Sequence, residues 1–515
     1  MSTPVSHPDS PTTRSPAMGH TALILGDQLM RDNPALEGAD RVVVVESLGR
    51  LGRRRLHRRR AHLVLTGMRC LVRDLRADGI EVDYRREAAS IPSVVRELTA
   101  GGERVVCANP NDPGGRAHLR DAGAELWDSN QFLVSSDAFS AWAEGRNTLR
   151  MEDFYRDQRR LHGVLLDDGE PAGGRWNFDQ DNRQPPKAGL SAPAPYQPRE
   201  DEIDEEVRHD LDRWVADGTI DLWGEDGPRQ FAVTPDEAQR ALDSFIDTRL
   251  EWFGPWQDAM VDGERTLYHS LLSVPLNLGV LAPMRVVRAA EHAYRDGNVP
   301  IQSAEGFIRQ VLGWREYVHG VAHLRRRDWP SRNALGATAP LPEAFWGRES
   351  GWACLDTTIE SVSATGYAHH IERLMVLGNI MLLAGVEPWA AIRWFQTAFV
   401  DGAEWVMAPN AAGMALYADG GGMTTKPYAA GGNYMKRMSE HCGGCQYDPR
   451  KRTGDDACPL TALYWDFLDR NRDALKGNHR VAMPLRSLAK IEPDELKAIK
   501  ARARRALEHE LGGRA

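Results

Sequence analysis

The spacing of four cysteines near the carboxyl end constrains this chain more than any other feature. Cys442 and Cys445 flank two glycines, Cys458 precedes a proline, and Cys354 stands alone far upstream. Two residues between cysteines allow both sulfurs to reach one centre, and a cysteine followed by proline is typical of ferredoxin-type ligation. We therefore predict one Cys₄ site, which requires the distant Cys354 segment to pack against the C-terminal segment.

The spacing favours an iron–sulfur cluster over zinc at this site. A zinc ribbon more often has two close CxxC pairs, whereas one ligand here is single, distant and two residues from Trp352. The alternative is a set of free or buried cysteines. Cys70 and Cys107, in apolar surroundings, are predicted to be core residues.

The composition is typical of a soluble globular protein with two or three domains. The chain has 515 residues, of which 42% are hydrophobic and 27% charged. A net charge of -9 argues against coating nucleic acid through bulk charge. The run LGRRRLHRRR at 51–60 is predicted to be the solvated face of a helix, with a local basic patch as the alternative.

The amino terminus carries no signal for export. Residues 1–19 are rich in Ser, Thr and Pro without an apolar core, which predicts a disordered leader and a cytoplasmic protein. No apolar run is long enough to span a membrane. A reducing compartment also suits cysteines that serve as ligands.

Residues 20–140 are predicted to form a doubly wound α/β domain with a parallel sheet. Apolar strands alternate with helical patterns, and the segments expected to be strands are TALILGD, VVVVES, IEVDYR, ERVVCAN and ELWDS. One helix is expected over about 54–77. Ligands of such sheets lie at the carboxyl ends of the strands, where this chain has Gly26, Asp27, Gln28 and Glu46. No GxGxxG follows the first strand, so a Rossmann dinucleotide site is not expected.

The remainder is predicted to be a long linker followed by an all-helical domain. Residues 141–230 contain Gly-rich, Pro-rich and acidic stretches such as REDEIDEE, which favour loops over core. From Thr234, a predicted N-cap, apolar residues recur with helical period. We therefore assign 231–515 to the helical domain that carries the cysteines.

Several helical segments have the residue types of a cofactor cleft. His269, Ser270 and Ser273 precede an apolar helix, where donors to phosphate are expected, although a simple helix cap is the alternative. Gln310 and Arg315 lie on a Gly-interrupted helix that can approach a planar ligand or present a solvated face.

Adjacent histidines, His369 and His370, are candidates for acid catalysis. Successive helical positions differ by about 100°, so the two imidazoles cannot share one face. A histidine is more often structural, but a pair beside apolar residues and Arg373 suits proton transfer. A Gly-rich stretch with Asp401, Asn410 and several tyrosines follows and lets backbone approach a ligand closely.

These segments together resemble one family. LILGDQL, MEDFYRDQRR, PAGGRWNFDQDNR, LNLGVL, IRQVLGWREY, AHHIERLMVLGN, the PN, GM and YADGG series, KPYAAGGNY and HCGGCQYD with CPLTALYWDF are similar to the iron–sulfur bacterial cryptochromes and photolyases. That family includes the prokaryotic (6-4) photolyases. The likeness runs from about residue 20 to the end.

The resemblance implies three cofactors. FAD would lie in the helical domain, a [4Fe–4S] cluster on the four cysteines, and a 6,7-dimethyl-8-ribityllumazine antenna in the α/β domain. It implies that FAD is bound by His269, Ser270, Ser273, Gln310, Arg315, Asp401 and Asn410, and the antenna by Gly26, Asp27, Gln28 and Glu46.

The resemblance also implies site roles and a partner. His369 and His370 would face a DNA lesion as catalytic residues, and Trp394 and Trp346, with Tyr428 and Tyr434 nearby, would relay electrons. The chain departs from some members at Met407, where they carry a carboxylate near the flavin. The expected partner is UV-damaged DNA with the lesion flipped into the cleft, bound by a monomer.

The function expected from this likeness is light-driven repair of (6-4) photoproducts. The His pair favours that lesion, because a cyclobutane dimer can split without an acid. One alternative is a blue-light photoreceptor of cryptochrome type with the same cofactors. Another, from a different class, is a non-photochemical iron–sulfur DNA-binding protein similar to a primase large subunit.

Overall fold

The computed structural model describes residues 19–325 and 328–513. Apart from Gly19, the predicted leader lies outside the described residues. The first part of the chain is a five-stranded parallel sheet, as predicted. Its strands are β1 His20–Ile24, β2 Ala39–Ser47, β3 Val82–Ala88, β4 Val105–Ala108 and β5 Glu125–Trp127, in the order β3-β2-β1-β4-β5.

The sheet is covered on both faces, which explains why β1 and β2 are apolar without alternation. One face packs against Ile91–Ala100 and Pro113–Asp121, and its core includes Leu23, Val43 and Cys107. The other face packs against Arg58–Ala77 and belongs to the main core, with Ala22, Val44 and Cys70. Both cysteines are buried, as predicted.

The arginine run differs from the prediction of a solvated helix face. Leu56–His57 pairs as a short parallel strand with Leu222–Trp223, so the helix begins at Arg58 and not near residue 54. The Arg60 guanidinium donates to the carbonyls of Gln396 (2.6 Å) and Gly402 (2.9 Å). Part of this run therefore fastens the α/β domain to the helical region.

The segment expected to be a linker contains more structure than its composition indicated. The acidic run forms the helix Glu202–Ala216, which begins with a capping box at Asp201 and buries Val207, Leu211 and Trp214 against Arg58–Ala77. The helix Met151–His162 and a small hairpin, Leu166–Asp167 with Glu170–Pro171, precede it. The prediction of loops was wrong for the acidic run, because its apolar residues recur at helical spacing between the charges.

From residue 234 the described chain is helical, with isolated β-bridges as its only strand-like pairs. Thr234 caps the first helix by accepting from the Glu237 amide, as predicted. The α-helices of the protein besides those already given are Leu48–Leu51, Ser136–Ala143, Pro235–Thr248, Leu250–Trp256, Ser273–Leu278, Pro283–Arg295, Ile301–Ile308, Glu316–Leu324, Ala353–Thr365, Asn379–Ala384, Pro388–Ala398, Glu404–Met407, Gly432–Met438, Pro459–Arg470, Arg472–Leu475, Ala482–Leu488 and Pro493–Arg505. No helix among the described residues is long and apolar enough to cross a membrane.

Candidate active site and cysteine centre

A glycine turn positions the two adjacent histidines. The helix Ala353–Thr365 ends at Gly366, whose φ of 67° closes the helix through a bond from its amide to the Val362 carbonyl. A Cβ at Gly366 would meet Val400 at 2.6 Å. The backbone entering His369 and His370 is therefore fixed by a conformation and a contact that favour glycine.

The two histidines occupy different environments, as the helical geometry predicts. His369 is 1% exposed and stacks on His269, with ring centroids 4.5 Å apart and planes 11° apart. The His370 side chain is exposed. Chain packed around the solvent-accessible ring, with the Arg373 and Arg183 charges, lowers the pKa of His370 below its ordinary value.

Unpartnered polar atoms collect around the stacked pair. His269 Nε2, both ring nitrogens of His369 and Arg249 Nε have no hydrogen-bond partner among the described residues. Burial, with the nearby His370 and Arg249, lowers the pKa of His269 to about 3. Since buried polar groups are nearly always hydrogen-bonded, this wall fits a polar ligand.

Arg373 and Asp401 form an ion pair next to the histidines. Arg373 Nη1 lies 2.8 Å from Asp401 Oδ1, and Arg373 Nε donates to the Ala368 carbonyl at 2.6 Å. The guanidinium also lies 4.1 Å from the centre of the Phe399 ring. Asn277, on the helix that Ser273 begins, donates to the Asp401 carbonyl at 3.4 Å. The helix that begins at Ser273 thus contacts Asp401 through Asn277.

Three π-helical segments carry residues of this region. They are Arg309–Arg315, Glu372–Gly378 and Ala408–Ala415. The last two cross closely, since a Cβ at Gly378 would meet Ala415 Cβ at 2.7 Å. Such segments are frequent at functional sites because the extra residue redirects side chains.

Three of the predicted FAD residues have other contacts in this structure. Gln310 and Asn410 each donate to the carbonyl four residues earlier on their own helices, at 2.9 and 2.8 Å. Arg315 donates to the Gln131 carbonyl at 3.2 Å and lies over the Phe132 ring at 4.0 Å, so it braces the α/β domain. Met407 is 3% exposed.

A second charged group borders the cleft at Arg183. Arg183 has a φ of 66°, unusual for a non-glycine residue, and its guanidinium lies 2.6 Å from Asp179 and 3.6 Å from Asp258. Burial raises the pKa of Asp258 to about 6. Neither carboxylate was predicted, although Asp179 and Arg183 lie within the quoted motif WNFDQDNR.

The predicted tyrosines belong to this cleft. Burial raises the pKa of Tyr428 and Tyr434, and the Arg183 and Asp258 charges act on both phenols. No ring contact among the described residues joins either tyrosine to Trp394 or Trp346. Their predicted place in the electron relay receives no support from these contacts.

The two predicted relay tryptophans border one groove. Trp394 is 1% exposed and donates to the Phe345 carbonyl at 3.0 Å, whereas Trp346 is 38% exposed. Both line a surface groove of about 450 Å³. Trp394 packs edge-on against Phe399, the ring beneath Arg373, at 5.8 Å. The aromatic series therefore runs from the surface to the Arg373–Asp401 pair.

The turn after β1 holds three of the predicted antenna residues in a polar network. Asn111 donates to Asp27 Oδ2 at 3.2 Å, and the buried Gln28 donates to the Asn109 carbonyl at 2.7 Å. A Cβ at Gly26 would meet Met68 Sδ at 2.9 Å.

Two packed imidazoles, His319 and His323, lie beyond this turn. His323 bonds to the Asn111 carbonyl at 3.1 Å and packs against His319, 4.5 Å between ring centroids. The His319 ring stacks on Phe132 at 3.6 Å, and neither of its nitrogens has a hydrogen-bond partner among the described residues. The combination of stacked rings and free ring nitrogens fits a polar heteroaromatic ligand.

Glu46, the fourth predicted antenna residue, accepts hydrogen bonds from neighbouring side chains at its carboxylate. Its two oxygens accept from Arg69 at 2.9 and 3.1 Å, and Tyr84 also donates to it. Arg69 in turn binds Asp210 at 2.7 Å on the helix Glu202–Ala216. This buried network ties β2 to that helix, so the structure gives Glu46 a bracing contact.

The four cysteines come together from three chain segments. Burial raises the pKa of the Cys354 thiol, and Cys458, Cys442 and Cys445 are its electrostatic neighbours. Cys354 and Cys458 lie at the beginnings of the helices Ala353–Thr365 and Pro459–Arg470, where the helix dipole favours a thiolate. A Cβ at Gly432 would meet Cys458 Sγ at 2.9 Å. This donor set fits a thiolate-bound metal centre.

The four sulfurs are spaced more widely in this structure than the ligands of a bound zinc ion. Among the described residues, no three of these sulfurs lie within 4.8 Å of one another. Tetrahedral zinc with Zn–S bonds of about 2.3 Å places its sulfurs about 3.8 Å apart.

The one group of ligand atoms at that closer spacing in the described chain is His62, Glu200 and Asp204. Arginines already bind its carboxylates: Arg229 at 2.9 Å from Asp204 and Arg208 at 2.5 Å from Glu200. It is therefore an ion-pair network and not an open metal site.

Comparison with known proteins identifies one relative that matches most of the chain and others that match a part of it. The profile of deoxyribodipyrimidine photo-lyase-related proteins matches residues 22–225. A (6-4) photolyase from Agrobacterium fabrum is 40% identical over 507 residues, which cover 94% of this chain and 98% of that protein. Two uncharacterised proteins of Acanthamoeba polyphaga mimivirus are 33% and 29% identical over 107 and 112 residues, 21% and 22% of this chain and 80% and 85% of theirs.

A solved structure shares the fold. The crystal structure of a bacterial class III photolyase from Agrobacterium tumefaciens matches with a TM-score of 0.55 and 17% identity, over 95% of this chain and 93% of that one. This agreement extends across both the α/β and the helical parts.

Proposed function

The chain belongs to the family of bacterial photolyases and cryptochromes, and from this premise we propose that it is a light-driven DNA-repair enzyme whose substrate is the (6-4) photoproduct. The observation that carries the choice of lesion is the exposed His370 imidazole beside the Arg373–Asp401 pair. Opening a (6-4) adduct requires an oxygen and a proton to move between two bases, which an imidazolium can promote.

FAD is the proposed electron donor, and the wall of unpartnered nitrogens is its proposed site. Reduced FAD, when bound and excited by light, supplies the electron that opens the lesion bond. Arg249 offers a free N–H group and His269 a free ring nitrogen to a polar ligand, and Ser270 and Ser273 offer hydroxyls at the same turn. Arg373 and Asp401 neutralise each other. The group of unpartnered nitrogens beside them can therefore remain buried without a charged ligand to balance Arg373.

His370 is the proposed acid at the lesion. Its lowered pKa means that it is neutral in the free protein at pH 7. Seating a DNA strand brings phosphate charge into the cleft, and a nearby negative charge raises an imidazole pKa. His370 would thus gain its proton when substrate is present, while His369 supports it from the buried side.

Trp346 and Trp394 are the proposed route by which electrons reach the site from the surface. The exposed Trp346 and the buried Trp394 share a groove, and Phe399 lies between Trp394 and Arg373. Tyr428 and Tyr434 are proposed to line the lesion cleft, since their charged neighbours are Arg183 and Asp258.

Two further cofactors are proposed on the same premise. Cys354, Cys442, Cys445 and Cys458 would hold a [4Fe–4S] cluster, for which their wide spacing is suitable. The Gly26–Gln28 turn, with the free His319 ring nitrogens nearby, would hold the lumazine antenna. The protein is proposed to act as a monomer on DNA.

Repair of a defined substrate tests this function. Duplex DNA with a single (6-4) photoproduct is incubated with protein whose flavin is fully reduced, in light and in darkness, and the restored bases are quantified by chromatography. We expect restoration in light alone. A parallel substrate with a cyclobutane dimer should remain unrepaired.

The alternatives give different outcomes in the same experiment. Reduced flavin without repair of either lesion would favour the photoreceptor alternative. The primase-like alternative is not retained, because the match to a named photolyase covers 94% of this chain.

A further inference from the structure

The C-terminal helix contacts the segments that carry the four cysteines through one buried ion pair. The helix Pro493–Arg505 continues as a π-helical turn, Ala506–Glu510, and packs against Pro459–Arg470. Arg502 is 2% exposed, and its guanidinium donates to both Glu510 oxygens at 2.7 and 3.3 Å. The two residues lie eight positions apart, about two helical turns.

This ion pair contacts all three segments that supply the cysteines. Trp352, two residues before Cys354, donates its indole N–H to Glu510 Oε2 at 2.7 Å. Arg502 Nε donates to the carbonyl of Ala457, the residue before Cys458, at 3.1 Å.

The CxxC segment meets the same pair from the third side. Arg502 Cζ lies 5.2 Å from the centre of the ring of Tyr447, two residues after Cys445. The CxxC segment and the Cys354 segment are also joined directly, since Gln446 donates to the Gly351 carbonyl at 3.1 Å.

We propose that Arg502 and Glu510 are positioning residues for the cluster, and that their ion pair holds the three cysteine segments at the spacing the metal centre needs. This inference rests on the proposed cluster at these cysteines. The pair acts through Trp352, Tyr447 and Ala457, and it does not itself ligate metal. Removing one partner leaves a buried charge unpaired and releases the contacts to those segments.

Residues that hold metal ligands in place increase metal affinity, because the ligands must be oriented before they bind the metal tightly. Loss of such a contact typically lowers metal affinity about 10- to 100-fold. The effect should be seen as faster loss of iron, since the cysteine segments separate more often. Exclusion of water by the indole and phenol rings adds to the protection.

The chain offers a matched control on the same two helices. Lys500 and Asp469 form an ion pair of 2.8 Å between Pro493–Arg505 and Pro459–Arg470, and the Lys500 side chain is 46% exposed. Lys500→Gln removes an ion pair across the same helix contact without touching a cysteine segment. Any effect peculiar to Arg502 and Glu510 is then separated from loosening of the helix.

The test uses the full-length protein purified without oxygen. Iron and sulfide per chain, FAD per chain, and the loss of cluster absorbance during titration with an iron chelator are measured for the parent, Arg502→Gln, Glu510→Gln and Lys500→Gln. We expect Arg502→Gln and Glu510→Gln to lose iron at about 10- to 100-fold lower chelator concentration than the parent, with FAD content unchanged. Lys500→Gln should match the parent.

In Glu510→Gln, the amide oxygen can still accept the hydrogen bond from Trp352, so this variant is the milder of the two. It provides the test if Arg502→Gln fails to fold. If Arg502→Gln and Glu510→Gln retain iron as firmly as the parent does, the inference is overturned. Equal loss of iron and FAD would overturn it too, since it would indicate a general folding defect. A parent without iron and sulfide would instead refute the cluster on which the inference rests.

Discussion

Replacing Glu372 by Gln should stabilise the protein in a pH-dependent manner. Glu372 begins the π-helical segment after the two histidines, and its side chain is 9% exposed. Burial raises the pKa of this carboxyl to about 8, although the His369 amide, which donates to it at 3.0 Å, and Arg373 both oppose the increase. At neutral pH the folded protein therefore holds a protonated carboxyl beside His369 Nε2, which lies 3.5 Å away.

The sign of the effect follows from the protons bound in each state. Below the ordinary pKa of 4.5, the folded and unfolded chains are both protonated at this residue. As pH rises toward 8, the unfolded chain releases the proton while the folded chain keeps it, so the free energy of unfolding falls. With about 1.4 kcal/mol for each pH unit, the loss at pH 7 is about 3 kcal/mol.

Glutamine cannot ionise and therefore avoids this loss. Its amide oxygen can still accept from the His369 amide, and its NH₂ can donate to the His369 ring. With an unfolding entropy of about 2.1 cal/mol/K per residue, the gain of about 3 kcal/mol at pH 7 corresponds to a rise in melting temperature of about 3 °C if the 515-residue chain unfolds as one unit. Near pH 5 the difference between variant and parent should be small.

The assay is thermal unfolding followed by circular dichroism at pH 5, 6, 7 and 8. One scan rate is used throughout, because irreversible unfolding makes the midpoint depend on that rate. Glu360→Gln is the matched control, since Glu360 is 72% exposed on the helix Ala353–Thr365 and pairs with Arg265 at 3.3 Å. A difference between Glu372→Gln and the parent that stays constant from pH 5 to pH 8 would refute the reasoning.

Three further substitutions test the cofactors and the acid. Cys442→Ser should remove the cluster absorbance and sharply lower soluble yield, since the metal ties Cys354 to the C-terminal segment; zinc in place of iron and sulfide by elemental analysis would contradict the cluster. Trp394→Phe should slow photoreduction of FAD while FAD stays bound, and unchanged kinetics by transient absorption would argue against the relay. His370→Ala should lower the (6-4) repair rate about 10²- to 10⁴-fold with lesion binding retained, measured after confirming that FAD is fully reduced. His369→Ala should act mainly through loss of packing against His269, so equal repair rates in parent and both variants would show that neither imidazole is the acid.

The fold was predictable where local pattern determined structure. Unbroken apolar runs identified β1 and β2, and the Thr234 cap located the start of the helical region. The acidic helix Glu202–Ala216 was missed, because charged residues outnumber the few apolar positions that it buries. The strand Leu56–His57 was also missed, since its partner Leu222–Trp223 lies far along the chain.

The site was predictable in its residues and less so in its contacts. Adjacent histidines and spaced cysteines mark a site by type and spacing alone. Arg249 carried no local signal, because its importance comes from burial beside His269, which only the tertiary fold creates. Gln310, Asn410 and Arg315 illustrate the converse: plausible residue types whose side chains engage their own helices or the α/β domain.

Arg373 lies between the residues proposed for electron transfer and the histidine proposed for proton transfer. Its guanidinium covers Phe399, the ring next to Trp394, and its charge lowers the pKa of His370. Because Asp401 pairs with the same guanidinium at 2.8 Å, the net charge there is close to zero. Removing the carboxylate by Asp401→Asn would leave Arg373 unpaired, and the pKa of His370 would fall further. Repair should then weaken even where photoreduction of FAD through Trp394 is intact, and the two rates measured on one variant would separate the two roles.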